Sequence, residues 1–180
     1  MSLIHVTLPD GTVNEYAAGI TCAEVITDAL GRKHGCLAAR VNGEECDLSR
    51  ILDTDCSVEG ILTESDDGMY ILRHSAAHRL AQAVTSIYPD AKPTIGPPID
   101  GGFYYDFAME PISESDLKPI QKKMQELARK NFTVERIELS DEELQSHFVH
   151  NPYKLEIISD KIEDGSGSTI YKQDDWYDLC

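Results

Sequence analysis

The sequence predicts an α+β protein in two domains. Three observations carry that reading. Apolar residues alternate around turn dipeptides through the first third of the chain. A long stretch from Met69 places apolar residues at helical spacing. Capping-box tetrads stand ahead of helical runs at Thr21, Ser113 and Ser140.

Taken in order, Ile4, Val6 and Leu8 alternate, Asp10-Gly11 supplies a hairpin turn, and Val13 to Tyr16 return as a second strand. Thr21 with Glu24 opens a helix through Val25, Ile26 and Leu30, and Gly31 ends it. Leu37 to Val41, the turn Asn42-Gly43, and Glu44 to Leu48 form a second hairpin, and Ser57 to Leu62 is a last strand. Strand, strand, helix, strands is the order of a β-grasp, ubiquitin-like domain, here residues 1–62. Thr63 to Gly68 reads as a polar linker.

The second domain, residues 63–180, opens with a helix from Met69 to Tyr88, stopped by Pro89. The segment TIGPPIDGGFYYDF follows as a strand, a turn at Asp100-Gly101-Gly102, and an aromatic strand. Ser113 with Asp116 caps a helix to about Asn131, with Pro119 expected in its first turn, where a missing N–H costs little. Phe132 to Leu139 reads as a strand and Ser140 with Glu143 as the start of a short helix to about His150. DGSGS reads as a flexible loop, and Thr169 to Lys172 and Trp176 to Cys180 as short strands.

Composition narrows the function. The 180 residues carry a net charge of −16, which disfavours a strong grip on a polyanion. Lys118, Lys122, Lys123, Arg129 and Lys130 form the main basic cluster. The apolar runs fall far short of the ~20 residues of a membrane span. The start MSLIHVTLPDG lacks the charged and apolar regions of a signal peptide, so a cytoplasmic location is expected. The five cysteines form no CxxC pair and read as reduced thiols.

Three features could carry chemistry. His74-Ser-Ala-Ala-His78 puts two imidazoles on one helix face, flanked by small residues that leave room for a ligand. Such a pair can share a metal or divide proton transfer and positioning, although a packed or solvated pair is the commoner outcome of this spacing. Tyr104 and Tyr105 point to opposite sides of a strand, so at most one faces a cleft. Asp178 and Cys180, two apart on a strand, project from one face, and nothing in the local sequence marks Cys180 as an activated thiolate. Lys154, by composition, reads as a solvated surface lysine.

HSAAHRLAQAV, IGPPIDGGFYYDF and the closing YDLC together resemble the second N-terminal domain of bacterial-type threonyl-tRNA synthetases. A related module occurs in alanyl-tRNA synthetases and in free-standing alanyl-tRNA deacylases. The first 62 residues, with LPDG and RVNGE, resemble the TGS domain that precedes this module in the threonyl enzymes.

The resemblance implies a β-grasp TGS domain followed by an α+β editing domain, truncated at its C-terminal end, whose long HxxxH helix packs on an antiparallel sheet. That domain would hydrolyse mischarged seryl-tRNA(Thr). In that family the HxxxH pair faces a Cys-x-x-x-His. His74, His78 and Cys180 match its first three members, and the fourth falls outside this sequence. The resemblance makes His74 and Lys154 catalytic, makes His78, Tyr105, Asp178 and Cys180 substrate-binding, and assigns no metal to the editing cleft. It places ATP, Mg and Zn in an aminoacylation core outside this sequence. That core makes the full-length protein a threonine–tRNA ligase and a homodimer, with this part alone a monomer. The partner would be the 3′ end of tRNA(Thr) carrying serine. A non-catalytic tRNA-positioning fragment and a zinc-dependent deacylase of the alanyl type are the alternatives.

Overall fold

The computed structural model describes residues 2–180. The chain divides into two compact units, Met1–Leu72 and Arg73–Cys180.

In the first unit the strands are β1 (Leu3–Thr7), β2 (Val13–Ala17) and β3 (Ile20–Thr21), followed by helix α1 (Cys22–Leu30). Then come β4 (Cys36–Val41), β5 (Glu44–Cys46), β6 (Ile51–Leu52) and β7 (Cys56–Leu62). A five-stranded sheet has the order β2-β1-β7-β4-β5. The β1–β7 pair is parallel and its other neighbours are antiparallel, which is the mixed sheet of a ubiquitin-like fold. Thr21 caps α1: its hydroxyl accepts from Glu24 N, and the Glu24 carboxylate accepts from Thr21 N at 2.8 Å. Gly31 ends the helix at φ 83°, a conformation that favours glycine. One face of α1 buries Cys22, Val25 and Ile26 against Ile4, Val6, Val41 and Val58 of the sheet. Each such aliphatic side chain contributes about 1.5–3 kcal/mol. Burial, and then the neighbouring Cys46, pushes the Cys22 thiol up to about 12.

The expected linker Thr63 to Gly68 is shorter than its composition suggested, because helix α2 (Asp66–Ile87) already includes its last three residues. Ser65 begins the helix, its hydroxyl accepting from Gly68 N at 3.1 Å. A side chain at Gly68 would meet the Leu62 carbonyl oxygen at 1.9 Å, so this turn needs glycine.

After α2 come four two-residue strands, β8 (Lys92–Pro93), β9 (Pro98–Ile99), β10 (Gly102–Phe103) and β11 (Phe107–Ala108). β9 pairs with β10, and β8 with β11. The long aromatic strand expected from GFYYDF is therefore interrupted at 104–106. Then follow α3 (Glu114–Arg129), β12 (Val134–Glu138), α4 (Asp141–His147), α5 (Pro152–Glu163), β13 (Thr169–Gln173) and β14 (Trp176–Leu179).

Three details differ from expectation here. Pro119 lies in the second turn of α3, not the first, because the helix starts at Glu114. Its missing N–H therefore leaves a carbonyl one turn back without its helical donor. The helix after Ser140 stops at His147 rather than His150. Helix α5 was not anticipated, although Asn151-Pro152 is a strong start signal.

β12, β13 and β14 form an antiparallel sheet in that order. Besides the site described below, α2 bonds to it where Gln82 donates to the Gln173 carbonyl at 3.3 Å and where Trp176 Nε1 donates to Thr85 Oγ1 at 3.1 Å. Ile158 of α5, Leu144 of α4 and Ile170 of β13 form one apolar cluster of this unit. Among the described residues no helix is long and apolar enough to cross a membrane.

Candidate functional site

The second unit gathers all six sequence-predicted site residues. His74 and His78 sit one turn apart on α2, their rings stacked with centroids 4.8 Å apart. Their Nε2 atoms are 3.0 Å apart, so one of the two must carry the proton between them.

Asp178 on β14 organises the rest. It is 1% exposed, and both of its oxygens are filled. Oδ2 lies 2.6 Å from His78 Nδ1 and accepts from Tyr105 Oη at 2.7 Å. Oδ1 lies 2.7 Å from Lys154 Nζ and accepts from Leu179 N at 2.9 Å. An ionised Asp178 holds a proton on His78 Nδ1, and leaves Nε2 as the atom that communicates with His74.

Lys154 is 3% exposed, which overturns its reading as a solvated surface lysine. It stands in the first turn of α5, and its Nζ also donates to Tyr105 Oη at 2.9 Å. Two of its three N–H bonds are thus committed to Asp178 and Tyr105. Burying this cation is tolerable because a carboxylate and a hydroxyl receive it at once.

Tyr105 reaches this network because of Gly96. A Cβ at position 96 would lie 2.2 Å from Tyr105 Cδ2 and 2.6 Å from Cγ. Backbone bonds on either side hold the two segments together, from Thr94 N to the Asp106 carbonyl and from Asp106 N to the Ile95 carbonyl, each 2.9 Å. The ring therefore has no room to retreat. Tyr105 is 9% exposed, whereas Tyr104 is 43% exposed, so the inward tyrosine is Tyr105.

The electrostatics follow from the geometry. Burial alone would raise the Asp178 pKa, but His78 and Lys154 outweigh it and hold the carboxyl below its ordinary range. Burial likewise opposes charge on His78, yet the Asp178 carboxylate and then Cys180 carry it up to about 9. Burial and the adjacent carboxylate raise Tyr105, keeping it a hydroxyl.

Cys180 follows β14 and bonds through its backbone to Thr169 in both directions. Its Sγ lies 3.7 Å from His74 Nε2. Burial acts to raise its pKa, but His74 and then His78 bring it down to about 6. This corrects the sequence reading of an unactivated thiol, because the activating imidazoles come from a helix about a hundred residues earlier in the chain.

His74, His78 and Cys180 present three ligand atoms within 4.8 Å of one another. A cleft of about 360 Å³ lined by Ile87, Tyr88, Met109, Ile112 and Asp116 shares no residue with this network. The basic residues of α3 are exposed except the half-buried Lys123, and none belongs to the network.

Two residues with structural roles here, Gly96 and Asn151, were not singled out in the sequence. Asn151 had a visible signal in its place before Pro152. Gly96 had none beyond being glycine.

Comparison with known proteins locates the chain in two steps. Residues 4–63 match the TGS domain family, so the first unit carries a TGS domain. Over 99% of its length the chain is 44% identical to a protein of Streptococcus suis (strain 05ZYH33) named "Threonine--tRNA ligase". It is 44% identical to the protein of that name from Hyphomonas neptunium (strain ATCC 15444). The one from Lactococcus lactis subsp. lactis (strain IL1403) is 42% identical. The chain spans 28% of the length of these relatives. As a whole it is similar to the N-terminal region of threonyl-tRNA synthetases. A solved chain described as "Crystal structure of ATBAG1 in complex with HSP70" covers 91% of this chain at a TM-score of 0.35 and 13% identity, a likeness that carries no argument.

Proposed function

We propose that the site around His74 hydrolyses the ester of serine mischarged onto tRNA(Thr). The observation that carries this reading is the network in which buried Asp178 ties His78, Tyr105 and Lys154 together behind the half-buried His74. The similarity to threonine–tRNA ligases supplies the need for it. Serine lacks one methyl group of threonine, and a missing methyl discriminates by only about 10–200-fold. A second site that destroys the wrong product is then required.

In the proposed reaction, water attacks the seryl carbonyl and a tetrahedral oxyanion forms. His74 takes the water proton, directly or through the neighbouring ribose hydroxyl of the terminal adenosine. The ester C–O bond then breaks and the proton passes to the leaving ribose oxygen. Free serine and intact tRNA result. His78 steadies His74 through the Nε2 contact and Asp178 holds the proton on His78 Nδ1. Lys154 stabilises the developing negative charge with its remaining N–H. Cys180 lines the mouth of the pocket, and Tyr105, Asp178 and His78 shape the part that receives the amino acid and adenosine. With a net charge of −16, this chain would rely on parts of the longer enzyme for most of its hold on tRNA.

The test is release of serine from seryl-tRNA(Thr), with threonyl-tRNA(Thr) as control, by this chain and by a version extended past Cys180. Selective release of serine is expected. His74→Ala or Lys154→Ala should lower it by about 10²–10⁴-fold, the range of a lost acid–base or oxyanion contribution. Unchanged deacylation in both variants would sink the assignment.

One observation favours a second reading, the zinc-dependent deacylase. Two imidazoles and a thiol within 4.8 Å suit zinc, and the His78–Asp178 bond resembles the carboxylate support common behind metal-bound histidines. His74, His78 and Cys180 would hold the ion, which would supply a polarised water. Metal content of the purified protein and deacylation after chelation separate the two readings.

A further inference from the structure

Lys154 and Tyr105 come from segments far apart in sequence, and their meeting needs a physical cause. Asn151 supplies one. Its Oδ1 accepts from Tyr153 N at 3.2 Å and Lys154 N at 3.3 Å, capping α5. Its Nδ2 donates to the Pro93 carbonyl at 2.7 Å. The two backbone donors on one side and the carbonyl acceptor on the other fix which end of the amide is which.

Pro93 belongs to β8 and pairs with Phe107 of β11, two residues beyond Tyr105. The side chain of Asn151 therefore closes a ring. It runs from Asn151 to Pro93, across the β8–β11 pair to Tyr105, from Tyr105 Oη to Lys154 Nζ, and back along the first turn of α5.

We infer that Asn151 is a positioning residue, whose bond to the Pro93 carbonyl holds the first turn of α5 so that Lys154 meets Tyr105 and Asp178. A cap alone would need only the Oδ1 half of this side chain. Serine and aspartate cap helices as well as asparagine does, but an ionised aspartate has no hydrogen to donate and serine, one atom shorter, lacks the second polar atom that Asn151 turns to Pro93. The catalytic part of the inference rests on the function proposed above; the structural part does not.

The experiment uses the full chain with Asn151→Asp and Asn151→Ser. Both keep a capping oxygen, so both should melt near the wild-type temperature. Acetic anhydride labelling of Lys154, read by mass spectrometry, should rise about fivefold, as expected when one hydrogen bond of ordinary net strength is lost. In the deacylation assay kcat should fall by about 10²-fold, the scale of a misplacement near 1 Å, with KM little changed. Wild-type labelling and wild-type kcat in both variants would overturn the inference. So would a fall in melting temperature with no selective gain in Lys154 labelling, which would reduce Asn151 to a cap. If neither the unsubstituted chain nor its version extended past Cys180 releases serine, the proposed function fails, while the labelling comparison still decides the role of Asn151.

Discussion

The two units bury different chemistry. The interior of the first is aliphatic residues, alanine and cysteine: Ile4, Val6, Cys22, Val25, Ile26, Ala39 and Val58. The second also buries His78, Gln82, Lys154, Gln173 and Asp178, and among the described residues every buried polar or charged side chain lies there. An apolar core stabilises by area and shape and is indifferent to pH. A buried ionic network stabilises little against an apolar replacement, and it fails badly when one member is removed.

The sharpest contrast is between two cysteines. Cys22 is pushed up to about 12 and Cys180 brought down to about 6. At neutral pH iodoacetamide should alkylate Cys180 faster than Cys22 by roughly three orders of magnitude or more, since the thiolate is the nucleophile. The Cys180 rate should fall as pH drops through about 6, where its thiolate takes up a proton. Equal rates would break the contrast.

Next in size is removal of one charge from the network. Asp178→Ala strands Lys154 and His78 and should cost about 3–5 kcal/mol in denaturant unfolding of the second unit. Ile26→Ala, in the apolar core of the first, should cost a comparable ~2–5 kcal/mol through its cavity. The two differ in acid. The folded-state pKa of Asp178 is depressed, so its contribution is present above the ordinary carboxylate value of about 3.9 and is lost as pH falls through its lower folded value. The cost of Asp178→Ala should therefore shrink at low pH while that of Ile26→Ala does not.

The smallest effects separate neighbours. Tyr105→Phe removes a hydroxyl that bonds both Asp178 and Lys154, and should cost about 1–3 kcal/mol. Tyr104→Phe, on the exposed side, should stay within about 0.5 kcal/mol. Matching losses would mean that burial of the ring, not its hydroxyl, matters at 105.

Much of the fold was legible because it is written locally. Thr21 with Glu24 and Gly31 bracket α1, and Asp10-Gly11 joins β1 to β2. The misses were also local. Leu155, Ile158 and Ile162 recur at helical spacing after Asn151-Pro152, yet the β-branched Ile157-Ile158 pair blurs helix and strand. The site was legible in a different way. The His74–His78 spacing and the Asp178–Cys180 alternation follow from element periodicity alone. Lys154 entered only through resemblance, since no local pattern says that a lysine will be buried against a carboxylate 24 positions away. The activation of Cys180 was invisible for the same reason.

Gly96 carries a consequence for how this sequence can change over evolutionary time. Any side chain at 96 collides with the ring of residue 105, so a lineage could accept one only after shrinking 105. Shrinking 105 removes the hydroxyl that receives Lys154. Position 96 is therefore locked by the ring at 105, and 105 is locked by the network, so drift at both is closed until the network itself is no longer needed.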